Sequence, residues 1–260
     1  MDKEKIIQHI KAWLKTYCDQ AGLFGFVIGI SGGVDSALTS TLCALSGKKT
    51  LLLNMPIRQT AEEYSRAQEH IQDLEIKFQN VSSLEINLTS IFESIEKTYP
   101  IETTQHALAM ANTRARLRMT TLYAIGQTHQ LLVAGTGNKV EDFGIGFFTK
   151  FGDGGVDLSP IADLNKTQVF ELAQHIGVVT SILKAKPTDG LFADGRSDED
   201  QIGASYPELE WAMNHKGDDS KLNSRQKEVL AIYKKLNRIN QHKMMPIPIC
   251  KIPSSFLKTD

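Results

Sequence analysis

The segment Ser31-Gly32-Gly33-Val34-Asp35-Ser36 brings together three kinds of group that act on phosphates. Two glycines leave backbone N–H groups bare, two serine hydroxyls flank them, and one carboxylate stands among them. The segment follows an apolar run, Phe24 to Ile30, and opens a helix-like stretch from Ala37 to Leu45. A glycine-rich turn between a buried strand and a helix points N–H donors outward at a helix N-terminus, which makes an anion site. A carboxylate there would repel phosphate unless a metal ion lay between them. The loop therefore reads as a site for a nucleotide with Mg2+. Its spacing is neither the G-x-x-x-x-G-K-[ST] of a Walker loop nor G-x-G-x-x-G.

Further chemistry-bearing residues gather where the chain turns glycine-rich, from Gly135 to Gly155. Lys139, Glu141, Asp142, Lys150 and Asp153 lie there, with Asp157 just beyond. That is too much charge for a passive linker, and long glycine-rich stretches inside compact domains are functional or disordered. Upstream, Asn112 and Arg116 are four residues apart and share one helix face, while Arg114 and Arg118 share another. Solvation is the ordinary fate of helix arginines.

The elements that must position these residues follow from periodicity. Residues 4–20 carry Ile6, Ile7, Ile10, Trp13, Leu14 and Tyr17 at helical spacing. A strand is expected over 24–30, a helix over 35–46, and a second strand from Thr50 to Met55, ended by Pro56. A helix over 60–75 turns Ile71 and Leu74 inward, and Ile76 to Val81 reads as a third strand. A helix over 83–98 carries Leu84, Leu88, Ile91 and Ile95, and a long helix spans 104–128. Leu131-Leu132-Val133-Ala134 reads as a buried strand. A helix over 165–176 is capped by Asp163 or Asn165, residues 186–205 form a polar flap, and a last helix spans 224–241 before an extended tail. Mobility is expected over residues 190–220 and much of 139–157. Leu23, Phe24, Phe147 and Phe148 read as core or as stacking partners for nicotinate or adenine, with core favoured, and Cys18 and Cys43 read as buried small hydrophobes.

Alternating strands and helices predict an α/β fold, a doubly wound parallel sheet with helices on both faces. Ligands bind such sheets beyond the carboxyl ends of the strands. The phosphate loop, Pro56-Ile57-Arg58 and the segment after Ala134 should therefore converge on one crevice.

At 260 residues the chain is long enough for one large α/β domain. A net charge of −1 argues against a nucleic-acid binder driven by counterion release. Three cysteines, none in C-x-x-C spacing, give neither a disulfide framework nor a zinc signature. The charged start Met1-Asp2-Lys3-Glu4-Lys5 is followed by no secretory apolar region, and no apolar run reaches membrane-spanning length. A cytoplasmic protein without membrane partners is expected.

The S-G-G-x-D-S loop resembles that of the ATP pyrophosphatases, the PP-loop superfamily, which cleave ATP between its α and β phosphates. Three further segments narrow the likeness: Asn112-Thr113-Arg114-Ala115-Arg116-Leu117-Arg118-Met119; Gly135-Thr136-Gly137-Asn138-Lys139-Val140-Glu141; and Phe147-Phe148-Thr149-Lys150-Phe151-Gly152-Asp153-Gly154-Gly155. With Lys186-Pro187-Thr188-Asp189 and His242-Lys243, they resemble the NAD+ synthetase family over nearly the whole chain. A GMP synthetase-like ligase or a tRNA-modifying enzyme would not account for the F-F-T-K-x-G-D-G-G block, and a non-catalytic nucleotide sensor would need no second acidic site, no Lys150 and no Arg116.

The resemblance implies a Rossmann-like fold of the adenine nucleotide alpha-hydrolase type, one domain over residues 1–260, with a tail from about 243. It implies amidation of deamido-NAD with ATP and ammonia, through an adenylated intermediate. By the same likeness, ATP contacts are expected from Gly29, Ile30, Ser31, Gly32, Gly33, Val34, Asp35, Ser36, Thr136, Lys166 and Thr188. Arg116, Lys150, Asp157, His242 and Lys243 are expected at the deamido substrate. Asp35 and Glu141 are expected to ligate Mg2+, with Asp142 the alternative to Glu141, because one extra residue separates Glu141 from the F-F-T-K block. Met244 and Met245 follow His242-Lys243 where many family members have Arg. Free ammonia, or ammonia from a separate protein, is the expected nitrogen source, because no amidase domain fits. A homodimer is also implied.

Overall fold

The computed structural model describes residues 1–186 and 197–257. Helix α1, Lys3–Gln20, buries Ile7, Ile10, Leu14 and Cys18 and starts at Asp2, whose carboxylate accepts from Lys5 N. Trp13 and Tyr17 do not join this stripe. They stack on each other at 5.6 Å and stay about two-fifths exposed, because the buried face needs one residue in three or four. Strand β1, Gly25–Gly29, is followed by α2, Val34–Leu45, and by β2, Lys49–Asn54. Helix α3, Ala61–Lys77, begins with a capping box between Thr60 and Glu63.

The third strand, β3, runs Val81–Glu85 rather than over 76–81. Helix α3 continues to Lys77 and leaves Ile76 exposed, so the apolar residues there belong to a helix end. Consequently α4 is shorter than expected, Thr89–Thr98, and buries Phe92, with Leu88 at its start. Leu84 lies on an edge strand and Ile91 on the outer face of α4, both exposed. A short α5, Ile101–Thr104, precedes the long α6, Ala107–His129, which His106 caps by accepting from Ala109 N. Strand β4 is Leu131–Val133.

The strands order as β3-β2-β1-β4, all parallel, with β1 paired to both β2 and β4. Two cores cover the two faces of the sheet. One packs Phe26, Ile28 and Leu52 against α1, α2 and α3; the other packs Val27, Leu51 and Leu53 against Phe92 of α4 and Met119 and Leu122 of α6. Chain order reverses between β1 and β4, so the crevice beyond their carboxyl ends is the switch point where such sheets bind ligands.

After β4 the chain forms a π-helical segment, Lys139–Ile145, then returns as α7, Lys166–His175, and α8, Thr180–Leu183. Gln168 accepts from Asn165 N, so Asn165 rather than Asp163 begins α7. Helices α9, Asp198–Ile202, α10, Tyr206–Asn214, and α11, Ser224–Met244, build a third core around Leu209, Val140 and Ile145. The expected mobility of 139–157 thus meets a packed segment. Asn237 and Asn240 of α11 donate to the Gly144 and Ile145 carbonyls, both at 2.8 Å. Phe24 is 60% exposed, a correction to its expected place in the core: it precedes β1 at the amino end of the sheet, outside both faces. Cys18 and Cys43 are buried, as expected. No helix among the described residues is long and apolar enough to cross a membrane.

Candidate active site

The phosphate loop takes its shape from Gly32. Its φ is +79°, and a Cβ there would stand 2.7 Å from the Glu63 carbonyl of α3, so this position needs glycine twice over. Ser36 ties the loop shut: its Oγ donates to the Gly33 carbonyl at 3.0 Å and lies 3.1 Å from Ser31 Oγ. Ser36 is buried and does not face the cavity. Arg66 Nε donates to the Gly32 carbonyl at 3.3 Å.

The loop opens onto a cavity of about 270 Å³ lined by Gly29, Ile30, Ser31, Gly32, Gly33, Val34 and Asp35. Thr136, Glu141 and Lys166 line it as well, so the structure brings most of the expected ATP residues together. Thr188 lies outside the described residues. Pro56, Ile57 and Arg58 do not line the cavity as expected; their neighbours Met55 and Gln59 do. Arg58 turns away and pairs with Glu93 at 3.4 Å and Glu96 at 2.7 Å.

Lys166, buried at the start of α7, is the hub of the site. Its Nζ lies 2.6 Å from Asp35 Oδ2 and 2.9 Å from Glu141 Oε1. Asn138 donates to Asp35 Oδ1 at 3.1 Å. The Tyr206 hydroxyl donates to Glu141 and, at 3.2 Å, to Asp198, and its ring lies 4.9 Å from the Lys166 ammonium. Burial opposes charge on all three ionisable groups of the hub. For Lys166 the two carboxylates outweigh burial and hold the ammonium well above its ordinary range. For Glu141, Lys166 and the Tyr206 hydroxyl also outweigh it, and the carboxyl sits below the usual range. For Asp35 burial prevails and, with Glu141 opposite, pushes the carboxyl up.

Two carboxylates sharing one cation beside a phosphate loop are hard oxygen donors, the set that suits Mg2+. Among the described residues no three His, Cys, Asp or Glu side chains form a metal cage. Mg2+ characteristically takes one or two carboxylates plus phosphates, so this pair fits it. Asp142, the alternative, lies instead against the backbone of Gly137, where burial, Glu141 and Asp153 push its carboxyl up.

The residues expected at the deamido substrate fall in two other places. Arg116, Lys150, His242 and Lys243 form a cluster held by backbone carbonyls. Arg116 Nε donates to Lys150 O at 3.2 Å, Lys150 Nζ to His242 O at 2.7 Å, and Lys243 Nζ to Phe148 O at 2.8 Å. The Lys243 ammonium also lies 5.1 Å from the centre of the Phe148 ring. Asp157 stands apart, accepting from Val133 N at 2.8 Å and from Tyr123 OH at 3.0 Å. None of the five lines the cavity. Tyr206 and Asp198 are not legible as site residues, because nothing in their local sequence announces that Tyr206 meets both Glu141 and Asp198. Arg118, for which solvation is the ordinary fate of a helix arginine, lines the cavity.

A parallel sheet with a phosphate loop at its switch point, and paired carboxylates beside that loop, defines an α/β nucleotide-binding enzyme. The family model for NAD synthase matches residues 6–246, and the chain belongs to that family. It is 37% identical over 246 residues to the NH(3)-dependent NAD(+) synthetase of Mesoplasma florum, covering 94% of this chain and 95% of that one. The corresponding Carboxydothermus hydrogenoformans protein is 35% identical over 242 residues, or 92% and 94% of the two chains. Among solved structures, the NMN synthetase of Francisella tularensis matches with a TM-score of 0.86 and 31% identity, over 97% of this chain and 100% of that one. The NH3-dependent NAD synthetase of Campylobacter jejuni matches with a TM-score of 0.78 and 26% identity, over 96% and 100%.

Proposed function

We propose that this chain is an ammonia-dependent NAD+ synthetase, which amidates the nicotinate carboxylate of deamido-NAD at the expense of ATP. The observation that carries the reading is the meeting of Asp35 and Glu141 at Lys166, on the wall of the cavity that the phosphate loop opens. Family membership supplies the substrate class.

A carboxylate has no leaving group that ammonia can displace, so it must first be activated. One of its oxygens attacks the α-phosphorus of ATP, the bond to the bridging oxygen of the β-phosphate breaks, and pyrophosphate leaves. Ammonia then attacks the acyl carbon, AMP leaves with the acyl oxygen, and the nitrogen sheds a proton to give the amide. The backbone N–H groups from Gly32 to Asp35 hold the β and γ phosphates at the N-terminus of α2. Lys166 supplies a fixed positive charge beside them. Asp35 and Glu141 would hold Mg2+, which would supply positive charge to the phosphate oxygens and the leaving pyrophosphate. The enzyme's share is positioning and charge stabilisation.

The same reading takes residues 1–260 as one ATP pyrophosphatase-type domain acting in the cytoplasm. Arg116, Lys150, Asp157, His242 and Lys243 are assigned to the deamido substrate, and Thr188 to ATP. Because Arg116, Lys150, Asp157, His242 and Lys243 lie away from the ATP cavity, the dinucleotide would extend along the outer surface, completed by a second copy in a homodimer. A concentration-independent monomer mass by light scattering would reject the dimer.

The likeness to an NMN synthetase motivates a second substrate, nicotinate mononucleotide, which presents the same carboxylate on half the scaffold. The test is an end-point assay with pure protein, ATP and Mg2+, offering deamido-NAD+ or nicotinate mononucleotide, each with ammonium or glutamine. NAD+, AMP and pyrophosphate appearing together with ammonium support the reading. Preferred turnover of the mononucleotide replaces the substrate, and robust turnover with glutamine alone removes the ammonia assignment.

A further inference from the structure

Arg118 is a cation in the cavity wall that makes no ion pair with a described residue, although the Glu63 and Asp153 carboxylates line the same cavity. Helix α6 presents it toward the end of β2, where it is anchored twice. Nε donates to the Met55 carbonyl at 3.1 Å and Nη2 to Gln59 Oε1 at 3.2 Å, and both partners are neutral. The arginine ion pairs found among the described residues belong to Arg58 and Arg225. Nη1 of Arg118 donates to no described residue and is not sealed from solvent, and Arg118 lines the cavity. Burial and the neighbouring Arg114 pull the guanidinium down to about 10; the carboxylates of Glu63 and Asp153 offset this only in part.

A guanidinium drawn into a protein without a directly paired counter-ion is costly, and such groups are kept where something completes them. The position narrows what that is. The phosphate loop opens α2 on one face of the sheet, whereas α6 packs on the other. Both look into the same cavity across the carboxyl ends of β1 and β2. With the β and γ phosphates at the loop, the two negative groups that must meet in the rest of the cavity for the reaction are the α-phosphate and the carboxylate that attacks it. These two anions repel each other as they approach, and a fixed cation between them lowers that cost where charge develops.

We propose that Arg118 is the anion contact at the reacting centre, holding an oxygen of the α-phosphate or of the carboxylate to be activated. The proposal rests on the AMP-forming reading above.

The experiment compares charged and neutral ligand pairs on wild-type protein, Arg118→Gln and Arg118→Lys by titration calorimetry. One pair is AMP and adenosine; the other is deamido-NAD+ and NAD+, which differ at the carboxylate. Arg118→Gln is expected to weaken the charged member of one pair on the order of tenfold or more, leaving its neutral member within about twofold. A loss on the AMP arm assigns the α-phosphate, and a loss on the deamido-NAD+ arm assigns the carboxylate. Equal effects within both pairs would overturn the proposal and leave Arg118 as a brace for Met55 and Gln59. Where Arg118→Gln fails to fold, Arg118→Lys reads the same difference, because a point charge cannot reproduce the guanidinium fork. An unchanged preference in that variant also overturns it. Wild-type protein that binds AMP but not deamido-NAD+ removes the substrate assignment, while the AMP arm still decides Arg118. Wild-type protein that binds neither AMP nor ATP removes the nucleotide reading, and the proposal with it.

Discussion

Lys166 Nζ lies 2.6 Å from Asp35 Oδ2, although the two residues are 131 positions apart. The N-terminus of α7 is thereby tied to the N-terminus of α2, and Glu141 is drawn to the same ammonium. Replacing Lys166 with Met leaves two facing carboxylates without their cation. Loss of one partner from a buried ion pair costs about 3–5 kcal/mol, so urea unfolding at neutral pH should show a loss of that order. The loss should shrink in acid as the carboxylates take up protons.

Asp35→Asn tests the metal assignment. Lys166 keeps Glu141 as a partner in this variant, so far-UV circular dichroism and the unfolding midpoint should change little. Pyrophosphate release should fall on the order of 100- to 1,000-fold, the loss typical when a pre-placed charge-stabilising group is removed. Near-normal release would show that Asp35 holds no metal.

Gly32→Ala tests the loop. The positive φ alone makes a side chain cost about 1–2 kcal/mol. The 2.7 Å approach of a Cβ to the Glu63 carbonyl would add to this by pushing α3 away from the loop. A lower unfolding midpoint and weaker ATP binding are both expected. An alanine variant that binds ATP normally would mean that the loop relaxes freely.

His70 gives the fold a pH dependence. It is fully buried on α3, its Nε2 lies 2.8 Å from Ser40 Oγ, and burial pulls it from 6.5 to about 4. The unfolded chain therefore takes the proton more readily than the folded one. Stability is complete above about pH 6.5 and is lost as pH falls toward 4, by roughly 3 kcal/mol. The difference between wild type and His70→Gln, followed by chemical unfolding across that window, should show this slope vanish in the variant.

Much of the architecture was written in local patterns. The apolar run before Ser31, the glycines after it and the helical spacing beyond define a strand, a turn and a helix without help from the rest of the chain. Strand β3 was harder to read, because Ile76 looks like strand material and is in fact the exposed end of α3. An edge strand with only Val81 buried carries too weak a period-two signal to compete with it.

The site divides along the same line. The loop and the glycine-rich block at 147–155 are contiguous segments whose residue types state their chemistry, so the sequence by itself determined the phosphate site and its class of reaction. Convergence is another matter. That Tyr206 braces Glu141, that Lys166 spans two carboxylates, and that Arg118 rather than Arg116 faces the cavity depend on helix rotation and packing. Two residues further along a helix is a turn of about 200°, enough to move a side chain from solvent to cleft. Only the packing of α6, α7 and α10 around the sheet's carboxyl edge decides which of those directions is inward.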